Sequence, residues 1–250
     1  MTGSPIRVAA VGDIHLGTDN VKAFAESIRS AERDADVLLL AGDLSRCGEP
    51  AEAGLVCRAV GDLDLPVVAV LGNHDHHAGQ PEAFRAQLES AGICVLEGEA
   101  TVVDIDGCAV GVAGSKGFGG GFAGACASDF GEAEMKSFVG HTMALSDRLR
   151  TALDGLDTDV RLALLHYSPV PDTLRGERLE IFPFLGSYLL AEAIDGADVD
   201  LAVHGHAHAG VEHGVTAGGT PVRNVAMPVI RSSYRVYELD PVTTQRRLSA

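Results

Sequence analysis

Basic residues are scarce in this chain: 19 Lys and Arg stand against 35 Asp and Glu, a formal net charge of -16 over 250 residues. Tight, sequence-independent binding to nucleic acid rests on cations neutralising phosphates, so no nucleic-acid partner is expected. Cysteine is sparse too. The five thiols, Cys47, Cys57, Cys94, Cys108 and Cys126, are odd in number, widely spaced and without a CxxC pair. That pattern suggests neither a disulfide framework nor a thiolate zinc site, and a reducing cytoplasm fits it. Long apolar runs are missing as well. The run at 8–11 is too brief for a signal-peptide core or a membrane span, and no other segment reaches spanning length without charges or glycines. The chain reads as soluble and cytoplasmic, with no membrane partner. Repeats, charge runs and low-complexity tails are also absent. The glycine-rich stretch GSKGFGGGFAG at 114–124 does not match the phosphate-loop pattern GxxxxGK[ST].

What is present is enough apolar material for a core: 46% hydrophobic content with 22% charged residues predicts a single α/β domain over 1–250. Near-continuous apolar runs at 6–11, 37–41 and 67–71 read as strands covered on both faces. Between them, 19–34 and 49–62 carry helical periodicity. This strand–helix rhythm requires crossovers, so the strands should be parallel, with their C-terminal ends on one edge. After a third helix at 81–91, short runs at 93–96, 100–105 and 108–113 predict mixed or antiparallel strands extending a sheet, with Asp106-Gly107 as a hairpin turn. A largely helical stretch at 132–156 is expected to be interrupted near Gly140. Strands follow at 161–165, 199–203, 222–226 and 234–239, with a helix at 187–195.

Chemistry is concentrated at the ends of those runs. Gly12-Asp13-Ile14-His15, Gly42-Asp43, Gly72-Asn73-His74-Asp75, His166 and His204-Gly205-His206-Ala207-His208 each follow or end an apolar run. Turns alone explain one such tip, since Gly, Asn and Asp are turn residues; five are harder to explain that way. Ligands of open α/β sheets collect at the carboxyl edge, which brings Asp13, His15, Asp43, Asn73 and His74 together. Carboxylates, imidazoles and an amide oxygen suit manganese (Mn²⁺), iron or Zn²⁺ better than a soft metal. Two cations roughly 3.5–4 Å apart, bridged by one carboxylate, would use the whole set and clamp an in-line displacement at phosphorus. Asp43, after the middle of the first three strands, is the best bridge.

In order and spacing, GDIH at 12–15, GD at 42–43, GNHD at 72–75, His166 and GHAH at 205–208 resemble the five blocks of the calcineurin-like metallophosphoesterase superfamily. The resemblance implies a four-layer αββα sandwich of two mixed β-sheets flanked by helices, with a dinuclear metal site at the strand C-terminal ends. Asp13, His15 and His208 would hold one metal, Asn73, His166 and His206 the other, and Asp43 would bridge. His74 would be the non-ligand catalytic histidine, with Asp75 orienting it, and a metal-bridging hydroxide the nucleophile. Asp43 is followed by Leu44-Ser45-Arg46, which lacks the markers of the phosphoprotein phosphatase and purple acid phosphatase branches. What remains resembles the compact bacterial phosphodiesterase and phosphatase branch. A small phosphodiester is therefore the favoured substrate, with a metabolite phosphomonoester as the alternative. A nuclease or a non-catalytic metal-binding scaffold ranks below both.

Two stretches keep two readings. The loop at 114–124 is either a mobile surface loop or a lid, with Lys116 and Phe118 or Phe122 touching substrate. The segment 167–186, containing Arg175 and Arg178, either selects substrate or packs as a surface loop. His76 and His77 read as solvated, His141 and His213 as surface residues, and His204 as a packed histidine facing away from its neighbours.

Overall fold

A computed structural model describes residues 4–241. Parallel strands β1 (Ile6–Val11), β2 (Val37–Ala41), β3 (Val67–Val70) and β4 (Cys94–Val95) form most of a first sheet. A second sheet is built from β5 (Glu99–Ile105), β6 (Cys108–Ser115), then, past the short hairpin β7 (Gly121–Phe122) and β8 (Ala125–Cys126), β9 (Val160–Leu165), β10 (Leu201–His204), β11 (His213–Val215) and β12 (Pro221–Asn224). The last strand, β13 (Arg235–Leu239), returns to the first sheet and pairs antiparallel with β1. Sheet orders are β13-β1-β2-β3-β4 and β11-β12-β10-β9-β6-β5. Each sheet mixes parallel and antiparallel neighbours.

Helices α1 (Val21–Ile28), α2 (Ala31–Asp34), α3 (Pro50–Val60) and α4 (Pro81–Ser90) belong to the first half of the chain. The second half holds α5 (Ala133–Asp154), α6 (Phe182–Leu185), α7 (Tyr188–Asp195) and α8 (Met227–Ile230). Alternation along β2 explains the layering. Leu38 and Leu40 face Phe24, Ile28, Val56 and Leu88 of the helices, whereas Val37, Leu39 and Ala41 face Val112, Leu162, Leu164 and Val203 of the other sheet. A third apolar layer packs Leu149, Leu153, Leu190 and Ile194 of α5 and α7 against Ala113, Ala163 and Leu165. Three cores separate four layers, the αββα sandwich. Each fully buried Leu or Phe contributes about 1.5–3 kcal/mol, and this makes the strand positions rigid enough to aim polar residues at their ends.

Several local expectations give way to tertiary context. The helix expected at 19–34 divides into α1 and α2, because Ser30 Oγ turns to the Ser27 carbonyl (3.1 Å) and the Tyr234 hydroxyl (2.6 Å). Gly140 does not interrupt α5, whose buried face Thr142, Leu145, Leu149 and Leu153 holds it straight through; a mid-helix glycine costs only about 1 kcal/mol. The β5–β6 hairpin, turned at Asp106-Gly107, starts the second sheet instead of extending the first. Residues 114–122 are almost wholly buried, so the glycine-rich stretch is no mobile surface loop. Thr142 Oγ1 donates to Gly119 O at 2.5 Å, tying it to α5. Segment 167–186 contains two 3-10 turns and α6.

Candidate metal centre

β1, β2 and β3 run parallel, so the residues after them emerge at one edge; β9 and β10 of the second sheet end beside it. The two sheets are stitched there. Gly12 N donates to Val225 O at 2.9 Å, and the Met227 amide donates to Gly12 O at 2.9 Å. Close packing explains two of the glycines that precede the polar residues: a Cβ on Gly72 would collide with Asp43 Oδ1, and one on Gly205 with Asp13 Oδ2. Four non-glycine residues here take positive φ: Asp13 (56°), His15 (41°), Asp43 (50°) and His206 (69°). Such strain clusters at functional sites.

Side chains from all five sequence blocks converge. Asp13 accepts the His206 amide at 2.9 Å and lies 2.8 Å from His208 Nε2. Asp43 accepts the His74 amide at 2.8 Å and stands 3.4 Å from His166 Nε2, 3.8 Å from His15 Nε2 and 4.0 Å from His74 Nε2. Asn73 Oδ1 lies 3.0 Å from His166 Nε2, whose Nδ1 is 2.9 Å from the Ala41 carbonyl. The His166 and His206 rings are 4.9 Å apart. Three overlapping groups have ligand atoms within 4.8 Å of one another: Asp13, His15 and His208; His15, Asp43 and His74; Asp43, His166 and His206.

The donor set fits divalent cations. His15 Nε2 is buried without a hydrogen-bond partner, an orphaned lone pair among carboxylates. Burial, then the neighbouring His166, pushes the His206 imidazole down to about 3, and burial likewise holds His166 well below its ordinary value. Neutral imidazoles are the form that binds metal. Asp13 is pushed up to about 6 by burial, against the pull of His208. A buried carboxylate lacking enough positive charge is what a cation would correct. Ala41 O holds the His166 ring through Nδ1, as ligand imidazoles are commonly held.

Asp75 does something other than expected. Its carboxylate accepts the amides of Leu44 (3.1 Å), Ser45 (2.9 Å) and Gly72 (2.9 Å) and the Ser45 hydroxyl (2.7 Å). It clamps the loops after β2 and β3 together and has no hydrogen bond to the His74 imidazole. The backbone carbonyl of Arg46 takes that place, 2.7 Å from His74 Nδ1. A backbone oxygen has no sequence signal, which is why the sequence misassigned the contact. Tyr167, packed 4.3 Å from the His206 ring, and Phe184, whose carbonyl is 3.2 Å from His206 Nε2, also border the centre. Phe184 lies in the irregular segment already set apart; Tyr167 had only its place after His166 to mark it. His204 is fully buried and bonded to Thr173 Oγ1 at 2.8 Å, so it packs as expected. His76 is partly buried instead of solvated.

A family model described as calcineurin-like phosphoesterase matches residues 6–210, which include every residue of the centre. A curated relative from Synechococcus sp., named "Probable cyclic nucleotide phosphodiesterase", is 36% identical over 87 residues. The match covers 31% of this chain and 32% of that protein, so it spans about a third of the relative's length. Among solved structures, phosphopantetheinyl hydrolase from Mycobacterium tuberculosis aligns with a TM-score of 0.66 at 15% identity, over 94% of this chain and 96% of that one. GAP50, the anchor in the inner membrane complex of Plasmodium, aligns with a TM-score of 0.54 at 14% identity, over 90% and 73%. At such identities the likeness is one of fold alone, and the two proteins are named for different tasks on one architecture. With a family model covering most of its length and every block of the metal centre, the chain belongs to the calcineurin-like phosphoesterase family.

Proposed function

We propose that this chain is a dinuclear metal-dependent hydrolase of phosphate esters, its sequence read as one domain over 1–250, and that it acts on a small phosphodiester. The observation that carries the reading is the position of Asp43, shared by two of the three ligand groups and within 4.0 Å of His15, His74 and His166. One cation would be held by Asp13, His15 and His208, a second by Asn73, His166 and His206, with Asp43 between them. Mn²⁺ is the expected pair, and iron or Zn²⁺ suits the same nitrogen and oxygen donors. Bound, the cations supply positive charge that ionises water near neutral pH and neutralises the phosphoryl oxygens.

The protein's own contribution centres on His74. Hydrogen bonding of Nδ1 to Arg46 O fixes the ring, and its Nε2 is left facing the Asp43 side. From there a protonated imidazole can donate its Nε2 proton to the leaving-group oxygen. Asp75 supports this indirectly, by holding the loop that carries Asn73 and His74. The diester preference draws support from the name of the Synechococcus relative. A phosphomonoesterase is the second reading, favoured by the buried ammonium of Lys116 near Asp43. The five cysteines are free thiols, which agrees with the cytoplasm as its compartment.

The test is the ratio of initial rates on a chromogenic phosphodiester and the matching monoester, with Mn²⁺-loaded protein and Asp43→Asn as the blank. A ratio well above one is expected. A ratio well below one makes the protein a phosphatase, and no turnover above the blank on either ester reopens the scaffold reading.

A further inference from the structure

Beside the metal-ligand wall lies a cation that this scheme does not use. Lys116 directly follows β6, and its carbonyl accepts the amides of His166 (3.2 Å) and Tyr167 (3.0 Å). The residue is only 7% exposed. Its Nζ donates to Gly117 O at 3.2 Å and lies 4.9 Å from the Phe118 ring centroid and 5.2 Å from that of Tyr167. Glu97 and Asp43 act on the ammonium through space, without a hydrogen-bonded carboxylate. Glu97 itself accepts the Leu71 amide at 3.3 Å. Tyr167 in turn packs against His206 (4.3 Å) and His166 (5.5 Å). One aromatic ring thus separates the ammonium from two of the metal-ligand candidates.

A second group faces the same region. His76, three residues beyond Asn73, has a buried Nε2 with no hydrogen-bond partner and lies in the field of Lys116, Glu82, His141 and Asp43. His141 of α5 sits edge-on to Phe118, with ring centroids 4.9 Å apart. Unpaired basic groups are thereby gathered beside the centre in a chain of net charge -16. A buried ammonium with no bonded counter-ion is costly to hold. A ligand that brought the missing negative charge would recover that cost, and an ammonium is a compact point charge suited to phosphate or carboxylate.

We infer that Lys116 and His76 form a second anion subsite, which takes an additional phosphate or carboxylate carried by the substrate beside the phosphoryl group that is hydrolysed. The substrate class is then a phosphoester with two anionic groups. This inference rests on the phosphodiesterase reading.

The test uses three 4-nitrophenyl phosphodiesters whose second arm is ethyl, carboxyethyl or phosphoethyl, with Mn²⁺-loaded protein and Asp43→Asn as the blank. The wild-type kcat/KM should favour an anionic arm over ethyl by about tenfold; the preferred arm identifies phosphate or carboxylate as the group bound. In Lys116→Met that ratio should fall toward one, and in His76→Gln by about threefold. Because it is a ratio within one preparation, it does not depend on how much of a variant folds. Should Lys116→Met fail to fold at all, His76→Gln reads the same quantity. Turnover of the ethyl ester with a wild-type ratio near one, or a ratio unchanged in the folded variants, overturns the subsite and leaves the phosphoesterase reading standing. No turnover of any of the three above the blank overturns the phosphodiesterase reading, and the subsite with it.

Discussion

Aspartates stand at both edges of these sheets, and they behave in opposite ways. Where strands begin, Asp36, Asp159 and Asp200 each immediately precede β2, β9 and β10. Their carboxylates accept the amides of Arg7 (2.8 Å), Ala109 (2.9 Å) and Arg161 (2.7 Å) on the neighbouring strand, while their own amides donate back to the same three residues. Burial works against Asp36, but the bonds from Arg7 outweigh it and leave its carboxyl below the ordinary range. Where strands end, Asp13 and Asp43 sit buried in left-handed backbone, and burial drives Asp13 up to about 6. One edge uses carboxylates to fasten strands. The other holds both in left-handed backbone, and Asp13 in an environment that disfavours its charge, which is the mark of a site awaiting positive charge.

The largest test of that contrast is Asp43→Asn. It should lose metal, read by elemental analysis, and hydrolysis, by roughly 10³-fold or more; metal-dependent turnover that survived would break the bridging assignment. Next comes His74→Ala, expected to keep its metal while kcat falls roughly 10²–10⁴-fold. Parallel loss of metal would make His74 a ligand.

Stability should respond with opposite signs at the two edges. Asp36→Ala, far from the chemistry, should destabilise by about 2 kcal/mol in urea melts, with activity per folded molecule unchanged. Asp13 has a folded pKa raised above the unfolded one, so the folded state binds the extra proton more tightly between the ordinary value of 3.8 and about 6. In metal-free protein the Asp13 contribution to stability is therefore lost as pH rises through that window, while the lowered values of His206 and His166 add stability over the same range. The stability of wild type relative to Asp13→Asn should fall across the window, by on the order of 1 kcal/mol after allowance for His208. A stability of wild type relative to Asp13→Asn that rose across the same window would contradict the contrast.

Local pattern made much of this readable. Apolar runs buried on both faces announced β1, β2, β3, β9 and β10, and a polar residue after such a run has to emerge at the carboxyl edge. Asp13, His15, Asp43, Asn73, His166, His206 and His208 were legible for that reason. Asp75 was legible as important but not in its role, since adjacency to His74 said nothing of where the carboxylate would turn. Of the two readings of 114–124, the mobile surface loop failed: its glycines imitate a loose loop, whereas Phe122, Leu174 and Leu185 bury it in a small core of their own. β11, three residues long, carried too little periodicity to be seen.

The sequence by itself determined which chemical groups are available and which strand ends carry them, because these depend on residues a few positions apart. Only the tertiary structure decided the pairings. Asp13 meets His208 across 195 residues, His166 meets the Ala41 carbonyl across 125, and Lys116 joins the metal wall through β6 pairing with β9. Such contacts follow from strand order and from the packing of one sheet on the other, neither of which is encoded in any short stretch of chain.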